Sequence, residues 1–96
     1  MTFGLPPHIS LLAVPSYGVA PLTVGFYVNG VDPENVGFVT YEWNFGDGNV
    51  STLPPTLLYE TYQQPGNYLV TVTAITGDGR SATATAGILV RPQSLR

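Results

Sequence analysis

Hydrophobic and polar residues alternate along most of this chain with the period of two that belongs to β-strands, and no stretch carries the 3.6-residue period of a helix. In residues 41–48 Tyr41, Trp43 and Phe45 alternate with Glu42 and Asn44, so one face of this strand is aromatic and the other polar. Residues 67–76 place Tyr68, Val70, Val72 and Ala74 on one face and Thr71 and Thr73 on the other. Residues 22–28 set Leu22, Val24, Phe26 and Val28 against Thr23, Gly25 and Tyr27. Residues 9–14 form a short apolar segment closed by Pro15, which suits an edge strand, and residues 81–90 form a long last strand. Pro54 and Pro55 break residues 50–58, which can hold only short edge segments.

Between these runs lies turn chemistry: residues 15–21, residues 29–37, Gly46-Asp47-Gly48, Pro65-Gly66 and Gly77-Asp78-Gly79. Gly46 and Gly48 accept positive φ, and the Asp47 side chain is placed to cap the turn between them. The pattern predicts an all-β, antiparallel β-sandwich of about seven strands over residues 9–91, with an N-terminal arm at 1–8 and a C-terminal tail at 92–96. Its core is predicted to hold Tyr41, Trp43, Phe45, Tyr68, Val70 and Val72. Trp43 is the single tryptophan, and burying it removes about 150–250 Å² from water, roughly 4–6 kcal/mol of gross driving force.

Composition narrows the chemistry. The 96 residues contain no cysteine, one histidine (His8) and no lysine, so a disulfide framework, a thiolate metal site and a histidine-rich metal site are all excluded. Nucleophilic catalysis with a histidine base would have to recruit His8 from between Pro7 and Ile9, and a non-enzyme is expected. Charged residues are only 9% of the chain, and the net charge of −3 would repel a nucleic-acid backbone. Mean hydropathy is +0.17, yet no apolar run reaches the length of a membrane span. Residues 1–9 lack the basic and apolar regions of a signal peptide.

Two groups of residues are candidate sites. Asp32, Glu34 and Asp78 belong to loops at one end of the predicted sandwich, where three carboxylates could hold Ca2+; the competing reading has Asp32 capping an Asp-Pro turn, Asp78 in a Gly-Asp-Gly hairpin and Glu34 solvated. Strand parity turns Leu12, Val14 and Tyr27 outward on one sheet, and Leu69, Ile75 and Leu89 outward on the other. On a surface this short of charge, they form a predicted protein interface unless loops or residues 53–58 cover them. Tyr17, Tyr27, Tyr59 and Tyr62 are too scattered along the sequence to define an aromatic sugar platform. The sequon Asn49-Val-Ser51 would accept a glycan only in a eukaryotic secretory pathway.

The stretch Tyr-Glu-Trp-Asn-Phe-Gly-Asp-Gly at 41–48, followed by Pro-Gly-Asn-Tyr-Leu-Val-Thr-Val at 65–72, resembles the paired blocks of the polycystic kidney disease (PKD) domain. The similarity extends over about residues 9–90, since Ala-Pro-Leu-Thr-Val at 20–24 is similar to the family's second strand; Asn44 stands where an aspartate is usual. The resemblance implies an immunoglobulin-like sandwich in which Tyr68 pins a corner. It also implies a non-catalytic module, commonly extracellular, that makes protein or polysaccharide contacts or acts as a spacer. With Met1 at the start and no export signal, the leading expectation is a stand-alone virion protein. It would decorate or help assemble a phage capsid or tail through protein–protein contacts with a larger scaffold. The alternative is an accessory PKD module of a secreted hydrolase, adhesin or surface-layer protein that binds polysaccharide or protein. Location is accordingly virion or extracellular.

Overall fold

Val24, Phe26, Trp43, Val70, Val72, Ile88 and Val90 lie on inward strand faces, Phe45 directly follows a strand, and their burial draws two sheets together. The computed structural model describes residues 5–55 and 58–93. Its strands are β1 (His8–Val14), β2 (Tyr17–Val19), β3 (Leu22–Val31), β4 (Phe38–Asn44), β5 (Val50–Ser51), β6 (Leu58–Tyr62), β7 (Gly66–Thr76) and β8 (Ser81–Arg91). A three-stranded sheet in the order β1-β3-β6 packs on a five-stranded sheet in the order β2-β8-β7-β4-β5.

Two features depart from the sequence reading. Among the described residues the strands number eight, because the chain between β1 and β3 forms a separate three-residue strand and residues 58–62 pair along β3. The sandwich is also not purely antiparallel: β2 runs parallel to β8, with Tyr17 opposite Leu89 and Val19 opposite Arg91. The cause lies in Pro15. With no N–H, it cannot extend the β1–β3 ladder past the Val14–Gly25 pair, and the chain crosses to the other sheet. There the Ser16 carbonyl accepts the Leu89 N–H at 2.9 Å and the Ala20 N–H donates to the Arg91 carbonyl at 2.9 Å.

The centre of the core is aromatic. Phe26 of β3 faces Trp43 and Phe45 at ring-centroid distances of 5.6 and 5.5 Å, and Trp43 stacks on Phe45 at 5.9 Å. Trp43 is 2% exposed, and its indole N–H donates to the Leu53 carbonyl at 3.0 Å, so the proline-rich segment after β5 is tied down over the edge of the sheet. Tyr62 is a core residue, 1% exposed, with its hydroxyl bonded to the Phe45 carbonyl. It therefore leaves the set of surface tyrosines. Tyr68 is half-buried, packs against Tyr62 with a centroid distance of 4.6 Å and donates its hydroxyl to the Gln64 carbonyl.

The described chain enters at one end of the sandwich and leaves at the other. β1 begins beside the end of β3, near the β7–β8 hairpin, while β8 ends beside the start of β7. From Leu5 onward the predicted arm is docked: the Leu5 N–H donates to Glu34, the Leu5 carbonyl accepts a bond from Arg80, and Pro7 is buried. Residues 1–4 of the arm and 94–96 of the tail lie outside the described residues.

Candidate functional site

The loop between β3 and β4 and the β7–β8 hairpin meet at the end of the sandwich where the chain enters. Asp32, the last residue before the Pro33 turn, accepts backbone N–H bonds from Glu34, Val36 and Gly37, which fixes the loop as a closed Asx-type turn. Arg80 sets a two-pronged guanidinium against the same carboxylate, with Nη1 2.7 Å from Oδ1 and Nη2 3.1 Å from Oδ2, and turns its Nε to Asp78 at 3.0 Å. These charge-assisted bonds hold the Asp32 carboxyl well below the usual carboxylate range, and Arg80 and Thr76 lower Asp78 as well.

Asp32 and Asp78 are thus brought together by a cation that the chain itself supplies. Glu34 points to Leu5 rather than to this pair. Both Asp32 oxygens are already engaged by N–H donors, and the guanidinium would repel a second cation, so the residues do not suit calcium. Among the described residues no three acidic or histidine side chains form a metal-holding group. At the opposite end Asp47 caps its own turn by accepting the Asn49 N–H, and the amide of Asn44 accepts the Gly46 N–H. An amide oxygen does there what a carboxylate would do.

The two outer faces carry more. On the three-stranded sheet, Leu12 sits opposite Tyr27, while Val14, Gly25 and Tyr59 form the neighbouring row across β1, β3 and β6. Leu12, Val14, Tyr27 and Tyr59 are all about half exposed or more, at 59%, 49%, 57% and 55%. Gly25 is buried although it faces outward, because the Tyr59 ring lies over it: a β-carbon there would stand 3.0 Å from the ring. Tyr27 and Tyr59 are diagonal neighbours, a relation that puts side chains about 7–8 Å apart. Sequence spacing hides this pair, since 32 positions separate the two tyrosines and only the β3–β6 register joins them.

On the five-stranded sheet, Tyr17, Leu89 and Asn67 form one row across β2, β8 and β7, and Leu69 sits beside Gly87 in the next. Leu69 and Leu89 are exposed, and Tyr17 is 65% exposed. Ile75, expected to point outward with them, is half-buried. It lies in a row between Thr40 and Ser81, far along β7 from the exposed leucines, and so does not extend their patch. The middle of this face is polar, with Thr73 and Thr83 bonded hydroxyl to hydroxyl at 3.1 Å.

A family model described as PKD domain matches residues 6–90. A solved structure described as the structural basis for the promiscuous specificity of carbohydrate-binding modules from the β-sandwich superfamily superposes with a TM-score of 0.85 at 28% identity, over 97% of this chain and 37% of that one. This chain therefore spans well under half of that protein's length. The PKD1 domain of the Vibrio cholerae metalloprotease PrtV superposes with a TM-score of 0.72 at 28% identity, over 90% of this chain and 98% of that one. The PKD domain of an M14-like peptidase from a Thermoplasmatales archaeon shares the fold, with a TM-score of 0.77 at 21% identity over 95% of this chain and all of the other. No curated protein sequence matches the chain. A match over residues 6–90, nearly the whole sandwich, makes the chain a member of the PKD domain family.

Proposed function

We propose that this PKD domain is a non-catalytic module that binds polysaccharide through the outer face of its three-stranded sheet. The observation that carries the reading is the pair Tyr27 and Tyr59, both more than half exposed, flanked by Leu12 and Val14 and set on a rigid sheet. Solvent-facing aromatic side chains on a rigid sheet offer the apolar C–H faces of sugar rings a large contact area at little cost in side-chain entropy. The resemblance to a structure of carbohydrate-binding modules supports the same reading. Entry and exit of the chain at opposite ends suit an in-line accessory module of a larger secreted or surface protein.

The test is sedimentation of the domain with insoluble cellulose, chitin and β-glucan, comparing the wild type with the Tyr27→Ala/Tyr59→Ala variant. Wild-type retention on at least one polymer, lost in a variant that melts at the same temperature, is the expected result. A wild type that ignores every polymer but assembles with itself or with virus-like particles would overturn it in favour of the capsid role, in which the same apolar strip packs on a protein scaffold.

A further inference from the structure

The outer face of the five-stranded sheet holds a groove of about 490 Å³ at its β2 edge, within the size range of small-molecule sites. Its floor is Gly87, where a β-carbon would meet nothing within 4 Å. Tyr17, Leu89 and Asn67 lie in one row across it, with Arg91 beyond Leu89 on β8. Among the described residues Arg91 makes no ion pair, whereas Arg80 is consumed by Asp32 and Asp78. No acidic side chain lines the groove, although acids outnumber basic residues six to three in the chain.

We infer that this groove binds a carboxylate-bearing saccharide, such as a uronate unit of an acidic polysaccharide. Tyr17 and Leu89 present apolar surface to a pyranose face, the Asn67 amide and Ser16 hydroxyl match ring hydroxyls, and the Arg91 guanidinium matches the carboxylate. An acidic peptide is less well served here. The backbone groups of β8 and β7 are spent in their ladders, and β2, whose outer edge is open, is only three residues long, so a peptide lying on the face finds few ladder partners for its own N–H and C=O groups. The site lies on the other sheet from Tyr27 and Tyr59 and does not depend on them.

The experiment is a titration of the isotopically labelled domain, followed by backbone amide resonances, with tetragalacturonic acid, cellotetraose and hexaglutamate as probes. Tetragalacturonic acid is expected to shift Asn67, Gly87, Leu89 and Arg91, and Arg91→Gln is expected to weaken it about tenfold, the loss for one charge-assisted hydrogen bond. Gly87→Val, which raises the floor from a position where the β-carbon meets nothing within 4 Å, is expected to weaken it at least as much while the fold is retained. Shifts confined to the Tyr27 and Tyr59 face, no shifts at all, or an Arg91→Gln variant that binds like the wild type would overturn the inference. Hexaglutamate binding in the groove as tightly as the uronate would overturn the saccharide assignment in favour of an acidic protein segment. Cellotetraose on the tyrosine face with a silent groove would overturn this site and leave the polysaccharide reading of the other sheet standing.

Discussion

The Tyr62 hydroxyl donates a 2.8 Å hydrogen bond to the Phe45 carbonyl, joining β6 of one sheet to the turn that follows β4 of the other. Tyr62 is 1% exposed, so a water molecule cannot easily replace the lost donor. Tyr62→Phe is therefore expected to cost about 1–2 kcal/mol, the range for leaving a buried acceptor with one partner fewer. Urea denaturation checks this, and Tyr68→Phe, whose hydroxyl bonds Gln64 at the exposed surface, should cost less. Burial also pushes the Tyr62 phenol well above its ordinary range, so its ionisation accompanies unfolding at alkaline pH rather than preceding it.

Gly46 and Gly48 flank Asp47 and look equivalent in sequence, but they are not equivalent in the fold. Both have positive φ, +82° and +97°. A β-carbon at Gly46 would also stand 2.6 Å from the Leu69 carbonyl oxygen, whereas one at Gly48 would meet nothing within 4 Å. Gly48→Ala should cost only the conformational strain, about 1–2 kcal/mol. Gly46→Ala adds a clash with the backbone of β7 and should cost about 2–4 kcal/mol. Equal losses in chemical denaturation would refute the distinction.

Asp32 and Glu60 give the domain opposite pH responses. Arg80 and three backbone N–H groups lower the folded pKa of Asp32, so its stabilisation is complete above the ordinary carboxylate pKa of about 4 and is lost as pH falls through the lower folded value. Glu60 is raised, first by desolvation and then by the neighbouring Asp47. Its contribution is complete below the ordinary glutamate range and is lost as pH rises through the folded value. Glu60→Gln, which keeps an oxygen for the Asn49 amide, should raise the melting temperature at pH 7 and leave it unchanged at pH 3. Asp32→Asn should lower it at pH 7 and flatten the loss below pH 4.

The strands of this domain were legible because its core follows the period-two rule in β7 and in the second half of β4, where Trp43, Val70 and Val72 alternate with exposed or half-exposed neighbours; the rule breaks only at the irregularity between Phe38 and Thr40. β2 was not legible. Three residues between prolines carry no period, and its parallel partner residues on β8 lie 72 positions away. The Tyr27–Tyr59 pair was hidden for the same reason, since register between β3 and β6 is a tertiary property. The sequence places Asp32 and Asp78 at one end, but their common partner Arg80 emerges only from the packing of the two loops. A carboxylate-rich loop end followed two residues later by an arginine was the available signal.

Gly25 offers a way to move the tyrosine platform without removing either tyrosine. A β-carbon at this position would lie 3.0 and 3.3 Å from two carbons of the Tyr59 ring and no closer than 3.6 Å to any other atom. Because a side-chain ring can swing where a backbone cannot, Gly25→Ala should be accommodated by displacing Tyr59 outward, and losing a strand glycine offsets part of the strain. The melting temperature should change little. Retention on the polysaccharide that binds the wild type should nonetheless fall toward that of Tyr59→Ala, because the ring is displaced from its place over Gly25. Undiminished retention would mean that the Tyr59 ring face is not the contacting surface, and Tyr27 with Leu12 would then have to carry the binding alone.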